Sequence, residues 1–134
     1  MICFLFLFFS VCPEDITLSQ QSGVITSPFY PRKYPDNQTC AWKISAEQGN
    51  YIKLDISLNM QTCQSCSCDY LQIENGFSDD INQNERICDS SGTKTVYSTH
   101  GRLKVLFVSD DTRPKLYDGF TATYTQLNHT PPSK

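Results

Sequence analysis

Three cysteines fall within six residues, Cys63, Cys66 and Cys68, in the run TCQSCSCDYLQI. Thiols this close can ligate a metal, run a redox exchange, or close covalent staples. Cys63-x-x-Cys66 has the spacing of a zinc ligand pair. A structural zinc site normally takes two such pairs, however, and the chain has no second C-x-x-C and no H-x-x-x-H. A thioredoxin-like C-x-x-C belongs to a βαβ context that the strand-like pattern around it does not supply. Staples are therefore preferred over metal and over redox catalysis.

Other chemistry is thin. The two histidines are His100, in a turn-like STHGRL, and His129, near the end of the chain, and neither has a motif around it. There is no G-x-S-x-G, H-E-x-x-H or phosphate loop. Nothing pairs a nucleophile with a base, so the chain does not read as an enzyme. The formal net charge is −3, against the basic stripe that nucleic acid calls for. Arg32, Lys33, Arg113 and Lys115 are scattered in turn-like segments and read as solvated surface.

The redox compartment decides whether staples can persist. Residues 1–11, MICFLFLFFSV, form an apolar run too short to span a bilayer but suited to the core of a secretory signal. No basic residue precedes the run, which departs from the usual signal pattern. The expectation is export, with cleavage near Ser10 to Cys12 and a mature chain that does not insert into membrane. Cys3 would leave with the signal, and six of the seven cysteines would remain, an even number for three bridges. Six cysteines allow about 15 pairings, so the number alone does not give the connectivity. Export also gives meaning to two N-glycosylation acceptors, Asn37-Gln38-Thr39 and Asn128-His129-Thr130.

The elements that must hold these residues are short and strand-like. Ile52, Leu54, Ile56 and Leu58 alternate with Lys53, Asp55 and Ser57, the pattern of a half-buried antiparallel strand. GVITS from Gly23, CAWKI at 40–44, YLQIENG ending in an Asn75-Gly76 turn, and the weaker TKTVYST also read as strands. RLKVLFVSD, residues 102–110, is the most apolar and is expected at the centre of a sheet. DGFTATYTQL, 118–127, alternates Phe120, Ala122 and Tyr124. Residues 27–38, SPFYPRKYPDNQ, carry three prolines and read as an ordered loop. Residues 77–86, FSDDINQNER, read as a polar loop. About eight short strands without helical periodicity predict an all-β sandwich or barrel. One domain accounts for 134 residues.

The order of these pieces resembles a CUB domain: GVITSPFYPRKYP, CAWKI, YIKLDI, CSCDYLQIENG, Cys88, LKVLFVSD and GFTATY. The resemblance covers residues 12–126, leaving 1–11 as signal and 127–134 as tail or linker. Two departures stand out: Asp89 follows the last cysteine where the family usually has Gly, and Cys68 takes the usual aromatic position before Asp69. The resemblance implies an antiparallel two-sheet β-sandwich of jelly-roll-like architecture, non-catalytic and extracellular. It implies bridges Cys12–Cys40 and Cys66–Cys88. Cys63 and Cys68 are then left to pair with each other, the rivals being Cys63–Cys88 or Cys68–Cys88.

Many members of that family hold Ca²⁺ at one end through a Glu and two Asp, with a Tyr nearby, and then capture a basic side chain of a protein partner. Asp69, Asp110 and Tyr34 match that pattern. The Glu position falls on Gln61, or on Thr62 if counted from the preceding strand. The implied site therefore has two carboxylates instead of three. It reads either as a weakened calcium site or as two aspartates that only accept loop hydrogen bonds. No cofactor is required on this reading, and Ca²⁺ is the one ion the pattern suggests. The leading function is a secreted module that binds an extracellular protein. The alternatives are a single-domain secreted protein that binds glycan or egg coat, and a non-catalytic fragment of an extracellular protease.

Overall fold

The computed structural model describes residues 12, 16–61, 63, 66–76, 84–88, 91–111 and 117–128. The expected signal, residues 1–11, lies outside them, as do residues 129–134 of the tail. Among the described residues there are nine strands and no α-helix. They are β1 (Ile16–Leu18), β2 (Ser22–Thr26), β3 (Thr39–Ser45), β4 (Asn50–Asn59), β5 (Tyr70–Asn75), β6 (Asn84–Ile87), β7 (Gly92–Tyr97), β8 (Arg102–Val108) and β9 (Gly119–Asn128).

Two sheets form, in the orders β1-β3-β8-β5-β6 and β2-β9-β4-β7. The apolar β8 lies at the centre of the first, as its composition predicts, because a strand flanked on both sides loses most water contact. Pairing is antiparallel except for β1, which runs parallel to β3, with Ile16 opposite Trp42. β1 was not among the strands expected, and its parallel pairing departs from an all-antiparallel sandwich. β6 is a second difference, since Asn84–Arg86 belong to a strand where a loop was expected. β9 also runs through Leu127 and Asn128, into the expected tail.

The period-two pattern explains the core. Ile52, Leu54, Ile56 and Leu58 of β4 face Leu103, Val105 and Phe107 of β8 across the sandwich, with Phe120, Ala122 and Tyr124 of β9 beside them, and all are buried. Phe107 packs against Phe120 at 5.5 Å between ring centroids, and Trp42 meets Phe120 edge-on at 5.7 Å. Burial of one such side chain is worth about 1.5–3 kcal/mol. The Tyr34 ring packs edge-on to Phe107 at 5.4 Å, so the aromatic core reaches into the loop between β2 and β3.

Candidate functional site

Three loops meet at one end of the sandwich: β2–β3, β4–β5 and β8–β9. Their register is set by the strands beneath. Tyr70 of β5 pairs with Val108 of β8, so Asp69, just before β5, lies beside the chain that leaves β8 at Ser109 and Asp110. Gln61 comes from the exit of β4. Tyr34 descends from the proline-rich loop.

That loop is fixed at both ends. The Ser109 hydroxyl donates to the Pro35 carbonyl at 2.8 Å and accepts from the Gln38 N–H at 2.9 Å. The Asn37 N–H donates to the Asp110 carbonyl at 3.1 Å. Ser27, also buried, accepts from the Phe120 N–H at 3.0 Å. Gly119 is required beneath it: its φ is +96°, and a Cβ there would stand 1.9 Å from Ser27 Oγ.

The four residues singled out by the resemblance are brought together. The Tyr34 hydroxyl donates to Asp69 Oδ2 at 2.5 Å and accepts from the Gln61 N–H at 3.0 Å. The Asp110 N–H donates to Asp69 Oδ1 at 2.9 Å. Asp69 is fully buried with a hydrogen bond on each oxygen, which is how a buried carboxylate is tolerated. Burial, and then the Asp69 hydrogen bond, push the Tyr34 phenol well above its ordinary pKa, while the Gln61 N–H acts in the opposite direction. Asp110 is half-buried at the rim.

The cysteines beside this cluster are joined as Cys12–Cys40, Cys63–Cys68 and Cys66–Cys88, each with a Cα–Cα separation of 5.4 Å. The two bridges of the β4–β5 loop hold the approach to Asp69. Among the described residues, no three His, Cys, Asp or Glu side chains gather as a metal-binding group. Of the glycosylation acceptors, Asn37 is exposed with φ +55° in this same loop end, and Asn128 is exposed at the end of β9. His100 is exposed in the turn before β8. Reading the residues alone missed the hydroxyl ties of Ser27 and Ser109, for which the sequence offers no signal beyond small polar residues at strand ends.

Chemically the cluster is a set of hard oxygens without a nucleophile–base pair. It orders the loops and accepts hydrogen bonds.

A family model described as CUB domain matches residues 12–124. Human cubilin is 36% identical over 105 residues, which cover 77% of this chain and 3% of cubilin. The chain thus spans a small part of that relative. Among solved structures, the full extracellular region of zebrafish Gpr126/Adgrg6 superposes with a TM-score of 0.76 at 27% identity, covering 87% of this chain and 15% of that one. The MASP-1 CUB2 domain bound to Ca²⁺ has a TM-score of 0.69 at 23% identity, covering 85% of this chain and 99% of that one, and shares the fold.

Proposed function

Because the chain belongs to the CUB domain family, we propose that it acts outside the cell as a non-catalytic module. It binds a protein partner through the loop end of the sandwich, assisted by calcium. The observation that carries this reading is the convergence of Tyr34, Gln61, Asp69 and Asp110 from three loops onto one end. All four offer oxygen donors, the chemistry a hard cation takes.

The residues fit such an ion, weakly. Asp69 and Asp110 would supply its charge, with the Gln61 amide oxygen and the Tyr34 hydroxyl as neutral donors. Each Asp69 oxygen accepts a hydrogen bond at this loop end, and a carboxylate oxygen can serve more than one partner. Bound calcium would supply positive charge that draws the loops together. The half-buried Asp110 would then offer carboxylate to a basic side chain of the partner.

Export supports the same reading. The apolar residues 1–11, six further cysteines and two glycosylation acceptors all suit an oxidising compartment. Expression in a secreting eukaryotic cell line tests it. The domain is expected in the medium without free thiol. A lysine-rich peptide should bind the immobilised protein in millimolar calcium and leave in chelator. Retention of the chain inside the cell overturns the reading, as does binding that ignores both the chelator and Asp110→Ala.

A further inference from the structure

At the same end, on the outer side of the β2–β3 loop, Phe29 has φ +67° and is 57% exposed. The left-handed region is an outlier for a bulky L-residue. Strain of that kind persists only where the surroundings impose it, and Phe29 gains little burial in return. Nor is the segment loose. The Tyr30 N–H donates to the Ser27 carbonyl at 3.3 Å and the Arg32 N–H to the Phe29 carbonyl at 2.7 Å, on top of the buried Ser27. Tyr30 is itself 37% exposed, and Arg32 and Lys33 follow, both exposed. Phe29, Pro31, Arg32, Lys33 and Asp118 line a concavity of about 520 Å³. A rigid loop thus displays an aromatic ring beside two cations, and the stability of the fold accounts for neither.

We propose that this knuckle is a docking surface for an acidic segment of a protein partner. An apolar side chain of that segment seats against Phe29 and Pro31, and its flanking carboxylates meet Arg32 and Lys33. Exposed aromatics and Arg on a pre-ordered surface are the residue types that dominate binding energy at protein interfaces. Charge complementarity selects the acidic partner. The concave shape favours a side chain over a lipid surface. The apolar Phe29 and Pro31 in the lining favour a segment with an apolar side chain over a densely sulfated glycan, which has none to seat there. The proposal rests on the reading of the chain as a protein-binding module. It differs from the Tyr34–Asp69–Asp110 cluster in the sign of charge it selects.

Fluorescence anisotropy on the secreted protein tests it with four probes. These are peptides with a central Leu flanked by Asp and Glu, matched peptides with Lys in place of the acids, a heparin fragment, and phosphatidylserine vesicles. The acidic peptides should bind, and more weakly as salt rises. Phe29→Gly, and Arg32→Glu with Lys33→Glu, should each weaken that binding by about tenfold or more. Phe29→Gly should melt no lower than the wild type, since glycine relieves the left-handed backbone and little packing is lost.

Three outcomes overturn the proposal: failure of the acidic peptides, a Phe29→Gly variant that melts several degrees lower, or heparin or vesicle binding that survives Phe29→Gly while the peptides stay unbound. If the Lys peptides bind with calcium and Asp110 while the acidic ones do not, the knuckle falls and the module reading stands. If neither class binds, both fall.

Discussion

The Tyr34 hydroxyl donates to Asp69 Oδ2 at 2.5 Å across 35 residues of sequence, with both side chains buried. The ring of the same tyrosine packs on Phe107. One residue therefore couples the aromatic core to the loop end and fixes the carboxylate on which the candidate site depends.

Tyr34→Phe keeps the ring and removes the hydroxyl. Asp69 then loses the hydrogen bond on Oδ2 from Tyr34, and the Gln61 N–H loses this acceptor. The expected cost is about 1–3 kcal/mol, read from urea unfolding near neutral pH.

The same variant should change the alkaline behaviour. Burial and Asp69 raise the folded Tyr34 pKa above its unfolded value of about 10. Between those values the native state holds a proton that the unfolded chain has released, so stability is full below about pH 10 and falls as pH rises through the window. Tyr34→Phe should lose this part of the decline. If wild type and variant lose stability in parallel from about pH 9 to 11, the phenol is not held protonated by the fold.

The three bridges differ in loop length, and their removal should differ in cost. Chain-entropy scaling gives about 3.5 kcal/mol each for Cys12–Cys40 and Cys66–Cys88 and about 2 kcal/mol for the short Cys63–Cys68 loop. A Cys63→Ser/Cys68→Ser double variant should therefore fold and be secreted, with a modest drop in melting temperature. The Cys66→Ser/Cys88→Ser pair should be secreted poorly. Peptide mapping without reductant checks the connectivity, and a Cys63–Cys88 or Cys68–Cys88 peptide would contradict it.

Much of the fold was legible because alternation is a direct consequence of strand geometry. Ile52 to Leu58 and Phe120 to Tyr124 read correctly for that reason, and β8 was placed at the centre of its sheet by its apolar content. β1 was not legible. Three edge residues with Ile16 41% exposed carry no alternation. β6 was hidden by charge: Glu85 and Arg86 are exposed on an edge where charged side chains are favoured, and Ile87 alone turns inward. The cluster of Tyr34, Gln61, Asp69 and Asp110 came from family resemblance. Their meeting depends on loop geometry that periodicity does not encode, and so does the display of Phe29, whose φ no local pattern announces.

Asn37 should carry a glycan. It is exposed with φ +55°, a conformation asparagine tolerates better than most residues, and Thr39 of the acceptor is exposed too. Asn37→Gln, secreted from eukaryotic cells, should migrate faster on a gel by the mass of one glycan. Unchanged migration would show the acceptor empty.

Calcium gives the sharpest test of the loop end. Two carboxylates in place of three weaken attraction to a divalent ion, so affinity should fall in the range of about 10⁻⁴–10⁻³ M seen for extracellular modules. At about 2 mM calcium and a Kd near 0.5 mM, binding to the folded state alone adds only about 1 kcal/mol, a rise of a few degrees in melting temperature. Asp110→Ala removes a carboxylate but leaves the backbone N–H that supports Asp69, so it should abolish the rise without unfolding the domain. Gln61→Glu restores the third charge and should enlarge the rise, because the Gln61 N–H that bonds Tyr34 belongs to the backbone and survives the substitution. Equal melting in calcium and in chelator, for the wild type and for Gln61→Glu alike, would leave Asp69 and Asp110 as hydrogen-bond acceptors only. Partner binding at this end would then have to proceed without the ion.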